Sequence, residues 1–117
     1  MDTVRIAAVR TPYQGRPGRS VLLVNDLADL RGPAQGTVEL PICLFWSSTD
    51  HTFDLSKPFM LRSMYETVLR EAARPEDLTN YLNGEMLTAV WPDLHLPKGA
   101  RQAWEERHPV LRAAAAA

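Results

Sequence analysis

Cysteine, long apolar runs and an excess of basic charge are what this sequence lacks. Cys43 is the only cysteine among 117 residues, which excludes an intramolecular disulfide and any cysteine-rich zinc or iron–sulfur site. No apolar run approaches the roughly 20 residues that span a bilayer, and the first residues lack the apolar stretch of a secretory signal. We therefore expect a cytoplasmic protein. The net charge is −1 at pH 7, so the chain as a whole is not basic, as nucleic-acid-binding domains are.

The composition is that of one globular domain. Hydrophobic residues make up 45% and charged residues 23% of the chain, which are ordinary shares for a folded protein. A chain of this length buries roughly two thirds of the surface that its unfolded form exposes. We expect a single α+β domain over residues 21–112, preceded by a flexible basic arm, residues 1–20, and followed by a low-complexity tail, residues 113–117.

The arm is predicted from its turn-forming and basic residues. Pro12, Gly15, Pro17 and Gly18 interrupt any periodic pattern and favour a mobile segment. Four arginines against one aspartate give residues 1–20 a charge of +3. Such a segment is able to bind phosphate groups, so a small DNA-binding regulator stays open as an alternative.

Two segments predict strands. The apolar run SVLLV, residues 20–24, is long enough for a short strand. From Thr37 the sequence alternates with period two, and these apolar residues would share one face: Val38, Leu40, Ile42, Leu44 and Trp46. Pro41 has no backbone N–H to donate, which places the strand at a sheet edge or a bend. TFDL follows a turn-rich loop, so residues 37–55 predict a hairpin, or a three-stranded sheet together with the first segment.

The clearest helix begins near Pro58. Its apolar residues recur with the spacing of a helix that packs on a core: Leu61, Met64, Tyr65, Val68, Leu69 and Ala72. Ser56 is a candidate cap for the first turn, where a proline is tolerated because the first amides have no partner within the helix. Arg62, Glu66 and Arg70 stand four residues apart, which predicts exposed ion pairs along one flank.

Three shorter helices are predicted after it, so about four helices in the C-terminal half cover the sheet. PEDLTNYL is the first, closed by Asn83 and Gly84, two residue types that tolerate a left-handed cap. EMLTAVW is the next and stops before a proline. The last runs from Pro97 to about Arg107, where a His-Pro step ends it. The terminal alanines are expected to fray.

The loop SSTDHTFD holds every residue type of a hydrolytic triad: Ser47, Ser48, Asp50, His51 and Asp54. A triad needs a base oriented by a buried third group, and an oxyanion hole. The sequence has no Gly-x-Ser-x-Gly turn, and the same letters are typical of a hairpin loop. The three histidines stand apart, without a second histidine or a cysteine at metal-ligand spacing. We therefore expect no catalytic residue, no metal and no cofactor.

Two short helices around an Asn-Gly turn also suggest a helix-turn-helix. The second helix would present Glu85, Thr88 and Ala89, with no arginine or lysine to contact phosphates or base edges. Helices that belong to the core account better for this pattern.

The segment WPDLHLPKGARQAWEERHP, residues 91–109, combines two tryptophans with three prolines. Its lysine and arginines are balanced by acids, so phosphate binding is not its main purpose. Two arrangements stay open. Both tryptophans pack inside the domain, or Trp104 and a neighbouring arginine are partly exposed, the residue types most enriched at protein–protein hot spots. The second arrangement yields these candidate partner contacts: Trp91, Arg101, Trp104, Arg107 and His108.

The sequence over residues 25–112 resembles a group of short, uncharacterised actinobacterial proteins. The resemblance rests on GPAQGTVELPICLFWS, TFDL, YETVLREA, PEDLTNYLNGEML and WPDLHLPKGARQAWEERHPVL. It implies an antitoxin-like role, because proteins of the group resemble cognate partners encoded beside nucleotidyltransferase-type toxins. The group defines no catalytic residue that carries over. The winged-helix domain of some other antitoxins of such toxins is not recognisable in this sequence.

The function expected from the sequence is non-enzymatic. The leading interpretation is a protein-interaction module whose helical C-terminal half binds and neutralises a partner toxin. A small DNA-binding transcriptional regulator is the first alternative, and a small hydrolase is the second.

Overall fold

The computed structural model describes residues 8–16, 19–40 and 52–116, with the backbone alone for residues 8–16, 19 and 20. Within these ranges four β-strands precede five α-helices. The α+β class is therefore confirmed, as is the concentration of helices in the C-terminal half. The strands pair into two separate two-stranded sheets, rather than into one sheet of three strands.

The first sheet joins β1 (Ala8–Arg16) to β2 (Arg19–Val24) in antiparallel pairing. The register shifts between Arg10 and Gln14, where β1 advances four residues while β2 advances two. Pro12 lies in this irregular stretch, and a residue without an N–H is tolerated where the ladder is interrupted. Within the predicted flexible arm, residues 8–16 thus form a strand, because β2 supplies partners for their backbone.

The second sheet pairs β3 (Thr37–Glu39) with β4 (Thr52–Asp54), and Val38 lies opposite Phe53. Both of these side chains are buried. The neighbours of Val38 in β3, Thr37 and Glu39, are exposed, which confirms the period-two pattern within this strand. The two strands of the predicted hairpin are therefore present. The following residues of the prediction lie outside the described residues: Pro41, Ile42, Cys43, Leu44, Trp46 and residues 47–51.

The helix α1 (Pro58–Glu71) forms where the apolar stripe predicts it. Its buried residues are Leu61, Met64, Tyr65, Thr67, Val68 and Leu69. The predicted cap is wrong, because Ser56 donates both its N–H and its hydroxyl to the carboxylate of Asp54, at 3.0 and 2.7 Å. A charged acceptor two residues earlier in the chain thus engages the hydroxyl. Lys57 stands at the N-cap without a side-chain bond.

Four shorter helices follow, α2 (Pro75–Thr79), α3 (Gly84–Val90), α4 (Lys98–Arg107) and α5 (Pro109–Ala116). The predicted end of α4 is confirmed. The prediction of a frayed alanine tail is wrong up to Ala116, because the chain changes direction at His108 and then forms α5, which includes these alanines. Alanine has the highest helix propensity of all residues, and Leu111 fixes α5 to the core with no exposed surface.

Asn83 begins α3 rather than ending α2. Its backbone is extended, with φ −115°, and its side-chain oxygen accepts the N–H of Met86 at 3.0 Å. An asparagine oxygen satisfies a first-turn amide in this way at many helix starts. The predicted left-handed cap is therefore wrong. In the described part of the chain, the one residue with a positive φ is Gly36, at 92°.

Residues 30–32 run against residues 79–84, and we call this arrangement the 30–32 clasp. Three backbone bonds hold it: Arg31 N–H to Thr79 O, 3.1 Å; Gly32 N–H to Leu82 O, 2.7 Å; and Gly84 N–H to Leu30 O, 3.3 Å. Both glycines lie where two backbones meet. A Cβ on Gly32 would stand 2.5 Å from the carbonyl carbon of Tyr81, and one on Gly84 would stand 2.5 Å from the carbonyl oxygen of Leu27.

The core is built around three large side chains with no exposed surface, Trp91, Trp104 and Tyr65. The hydroxyl of Tyr65 accepts the backbone N–H of Asn83 at 2.9 Å, which ties α1 to the start of α3. Among the described residues, no helix is both long enough and apolar enough to cross a membrane.

Candidate functional site

The candidate stretch, residues 91–109, begins with a 3-10 turn, Trp91–Asp93, and continues through α4 to the turn at His108. The five predicted contact residues are thus brought into one part of the fold. Their side chains differ sharply in exposure, and this difference decides what each of them is able to contact.

Trp91 is buried, and both its indole N–H and the face of its ring make contacts. Its indole N–H donates to the carboxylate of Glu105 at 2.9 Å, and the guanidinium of Arg101 lies 4.9 Å from the centre of its ring. A cation over an indole face is the strongest cation–π arrangement among the aromatic side chains. Trp91 therefore joins the 3-10 turn to α4.

Arg101 uses its donors inside the molecule. It donates to Glu105 at 3.3 Å, to the carbonyl of Trp91 at 3.3 Å and to the carbonyl of Leu94 at 2.6 Å. Two of these acceptors belong to the segment before α4, where the chain leaves regular structure. Arg101 thus supplies a donor for the carbonyl of Leu94 and a second donor for the carbonyl of Trp91, which also accepts the N–H of Leu94 at 3.2 Å. Its guanidinium is committed to this network.

Trp104 is 0% exposed. Among the described residues, its indole N–H is the one buried side-chain polar group without a hydrogen-bond partner. Its ring faces that of His108, with centroids 5.6 Å apart and planes inclined by 35°. Of the two arrangements left open by the sequence, the interior one is observed. The partly exposed Trp104 is wrong, because the ring fills the centre of the domain.

His108 is buried at the end of α4, and its Nε2 lies 2.8 Å from the carbonyl oxygen of Val24 in β2. A carbonyl only accepts, so Nε2 carries the proton of this bond. Burial lowers the pKa of His108 below its ordinary value of 6.5, and the charge of Arg107 adds to the lowering. The bond to Val24 and the charge of Asp26 oppose it in part. The folded protein therefore favours the neutral imidazole.

This lowered pKa predicts that acidification weakens the fold. The unfolded chain takes up a proton on His108 as the pH falls through 6.5, whereas the folded chain resists it, so protons favour unfolding. We expect the urea midpoint of unfolding to fall between pH 7.5 and pH 5.5. His108→Gln keeps an N–H for the Val24 carbonyl but does not titrate, so its midpoint should change less over the same range. Equal pH dependence in both proteins would contradict this assignment.

Arg107 is exposed and donates to the side-chain oxygen of Asn25, just after β2. Together with the bond from His108 to Val24, this contact fixes the end of α4 to the end of β2. Of the predicted contact residues, only Arg107 is exposed, and Arg101 is partly exposed. Partner binding by the five residues stays a prediction, and in this conformation only these two arginines reach solvent appreciably.

The residues that would form the hydrolase site lie outside the described residues: Ser47, Ser48, Asp50 and His51. Residues 1–7 of the basic arm also lie outside them. Within the described ranges, no three side chains of histidine, cysteine, aspartate or glutamate converge as metal ligands would. The second helix of the suggested helix-turn-helix is α3. There Thr88 donates its hydroxyl to the carbonyl of Gly84 at 3.0 Å, within its own helix.

Sequence reasoning missed Phe59, whose side chain is 75% exposed on α1. It lies beside a concavity of about 300 Å3 lined by Phe59, Arg62, Ser63, Glu66 and His95. The predicted ion pairs of this flank are replaced, because Glu66 accepts the backbone N–H of His95 at 2.7 Å and Arg70 pairs with Glu71 at 3.1 Å. The helical positions 59, 62, 63 and 66 would have revealed this second stripe.

No protein-family model, curated protein or solved structure matches this chain.

Proposed function

We propose that this chain is a non-enzymatic protein-interaction module that binds and neutralises a partner toxin. The proposal builds on the resemblance of residues 25–112 to antitoxin-like proteins. It places the contact on the helical C-terminal half, at the corner between α4 and α5.

The observation that carries the proposal is the exposure of Val110. Val110 is 51% exposed at the start of α5, three residues after the exposed Arg107 at the end of α4. An apolar centre with a charged rim is the usual composition of a protein–protein contact, and arginine is enriched among the side chains that dominate binding energy. The corner therefore fits a partner surface that offers an apolar patch bordered by acids.

The test is co-expression of the chain with the product of the adjacent gene, followed by affinity purification. We expect Arg107→Glu and Val110→Asp each to reduce the captured partner at least about tenfold, the order of effect for a contact at the centre of an interface. Val110 is exposed and the structure gives its side chain no hydrogen bond, so Val110→Asp should keep the unfolding midpoint of the parent. Arg107→Glu also removes the bond to Asn25, so its midpoint should fall slightly, by the roughly 0.5–1.5 kcal/mol of one hydrogen bond, and capture by this variant is compared at a temperature where it is folded. Rescue of cell growth in the presence of the toxin should fail in parallel.

A matched control is Lys98→Glu, which makes the same change of charge at the opposite end of α4, on an exposed residue. It should leave capture unchanged. Capture that is insensitive to all three substitutions would remove the corner as the contact surface. The absence of any complex with the adjacent gene product would contradict the antitoxin-like function itself.

A further inference from the structure

One face of α1 carries a protruding ring next to a hollow. Phe59 is mostly in solvent, and the concavity beside it is walled by His95 on the segment before α4. Burial of an aromatic ring is strongly favourable. A single exposed apolar side chain is common on protein surfaces, so a contact with another molecule is inferred from the ring together with the shape and the charges of the surface around it.

The face is a continuous stripe of the helix. Phe59, Arg62, Ser63 and Glu66 follow one another at i, i+3, i+4 and i+7, so they share one side of α1, separate from the buried side that holds Met64 and Val68. Ser63, the smallest of the four, stands in the middle. A small residue at this point allows a second helix to approach closely.

We propose that this face binds a second copy of the chain, through an antiparallel pair of α1 helices with a two-fold axis near Ser63. At 1.5 Å per residue, Phe59 lies about 6 Å from Ser63 along the helix and Glu66 about 4.5 Å in the other direction. The two-fold axis exchanges these directions. Each Phe59 therefore comes over the Glu66 and His95 end of the other copy's concavity.

The charges of the face are complementary to themselves in this arrangement. A helical side chain leans towards the N-terminus of its own helix, so Arg62 of one copy is directed to Glu66 of the other. No ion pair joins Arg62 to another residue in the described part of the chain. Glu66 uses Oε2 for the N–H of His95, and its carboxylate has further acceptor positions for a guanidinium.

Self-association follows from the presence of all these features on one surface. The ring and the hollow that receives it, and both members of the ion pair, belong to the same stripe, which is what a two-fold interface requires. The α4–α5 corner lies on other helices. The proposal is therefore independent of the partner bound there.

The test is sedimentation equilibrium of the full chain over about 1 µM to about 1 mM, a range that covers weak association. We expect a monomer–dimer equilibrium for the parent protein. Arg62→Glu alone and Glu66→Arg alone should each raise the dissociation constant at least about tenfold, because both place like charges opposite one another. An equimolar mixture of the two variants should recover the dimer, since both cross-copy pairs are then attractive.

Phe59→Ser should also weaken the dimer without changing the charges, and far-UV circular dichroism should be that of the parent for each variant. If Glu66→Arg does not fold, loss of the dimer with Arg62→Glu and with Phe59→Ser provides the same test. A monomeric parent at the highest concentration would overturn the proposal. So would variants that dimerise as well as the parent, or two folded variants whose mixture stays monomeric.

Discussion

Replacing Trp104 by alanine is expected to lower the free energy of unfolding by about 3–5 kcal/mol, the range for truncating a buried tryptophan. The ring has no exposed surface and lies against the ring of His108, so its removal loses buried apolar contacts and leaves a cavity that the surrounding side chains fill only in part. Domains of this size are stable by only about 5–15 kcal/mol. The variant should therefore be largely destabilised, and urea denaturation followed by far-UV circular dichroism measures this directly.

Two phenylalanine variants serve as controls for this prediction. Trp104→Phe removes an indole N–H that has no partner, so the loss of packing is partly offset by the loss of an unsatisfied buried donor. Trp91→Phe removes an N–H that is bonded to Glu105 and leaves that carboxylate with fewer donors. We expect Trp91→Phe to destabilise more than Trp104→Phe. The reverse order would contradict the assignment of the two indole N–H groups, and an unchanged midpoint for Trp104→Ala would contradict the interior position of its ring.

Replacing Gly32 by alanine is expected to cost about 1–3 kcal/mol, the usual penalty for added volume in a packed interior. The new methyl group would lie 2.5 Å from the carbonyl carbon of Tyr81 and 2.8 Å from both its oxygen and the nitrogen of Leu82. All three are backbone atoms, so no side chain is able to turn away. The 30–32 clasp must open, which weakens the bond from Gly32 to Leu82. Chemical denaturation measures the loss.

The neighbouring substitution Ala34→Ser is the control, because this residue is exposed and such changes usually stay within about 0.5 kcal/mol. Gly84→Ala should also destabilise, since its methyl group would meet the carbonyl of Leu27. Both glycines belong to the same clasp, so the double variant should lose less than the two single losses combined. Strict additivity would show that the two backbone contacts are independent.

The fold could be predicted where the signal is local. The stripe of α1 and the alternation in β3 are periodic over a single element, and their buried faces are set by that periodicity. The end of α4 was marked by its His-Pro step. Ser56 and Asn83 were misassigned because each offers a side chain to several backbone groups, and tertiary contacts decide which of them it bonds.

The rest depends on distant parts of the chain. β1 has an irregular register around Pro12, so its pattern does not identify a strand, and only the pairing with β2 does. The segment of residues 91–109 is also ambiguous, because buried tryptophans are typical of packed interiors, and tryptophan and arginine are typical of interfaces. Its residues could be named in advance, but the direction in which Trp104 points could not. Phe59 could have been predicted as an exposed ring, since it is an apolar residue on the side of α1 that otherwise holds Arg62, Ser63 and Glu66.

The bond from His108 to Val24 spans 84 positions of the sequence. A chain that is still emerging from the ribosome holds β2 long before it holds the group that anchors it. Closing so long a loop costs entropy before it returns any contact energy, and native structures rich in such distant pairs form slowly. The bond between β2 and the end of α4 therefore forms only after α4 has been synthesised.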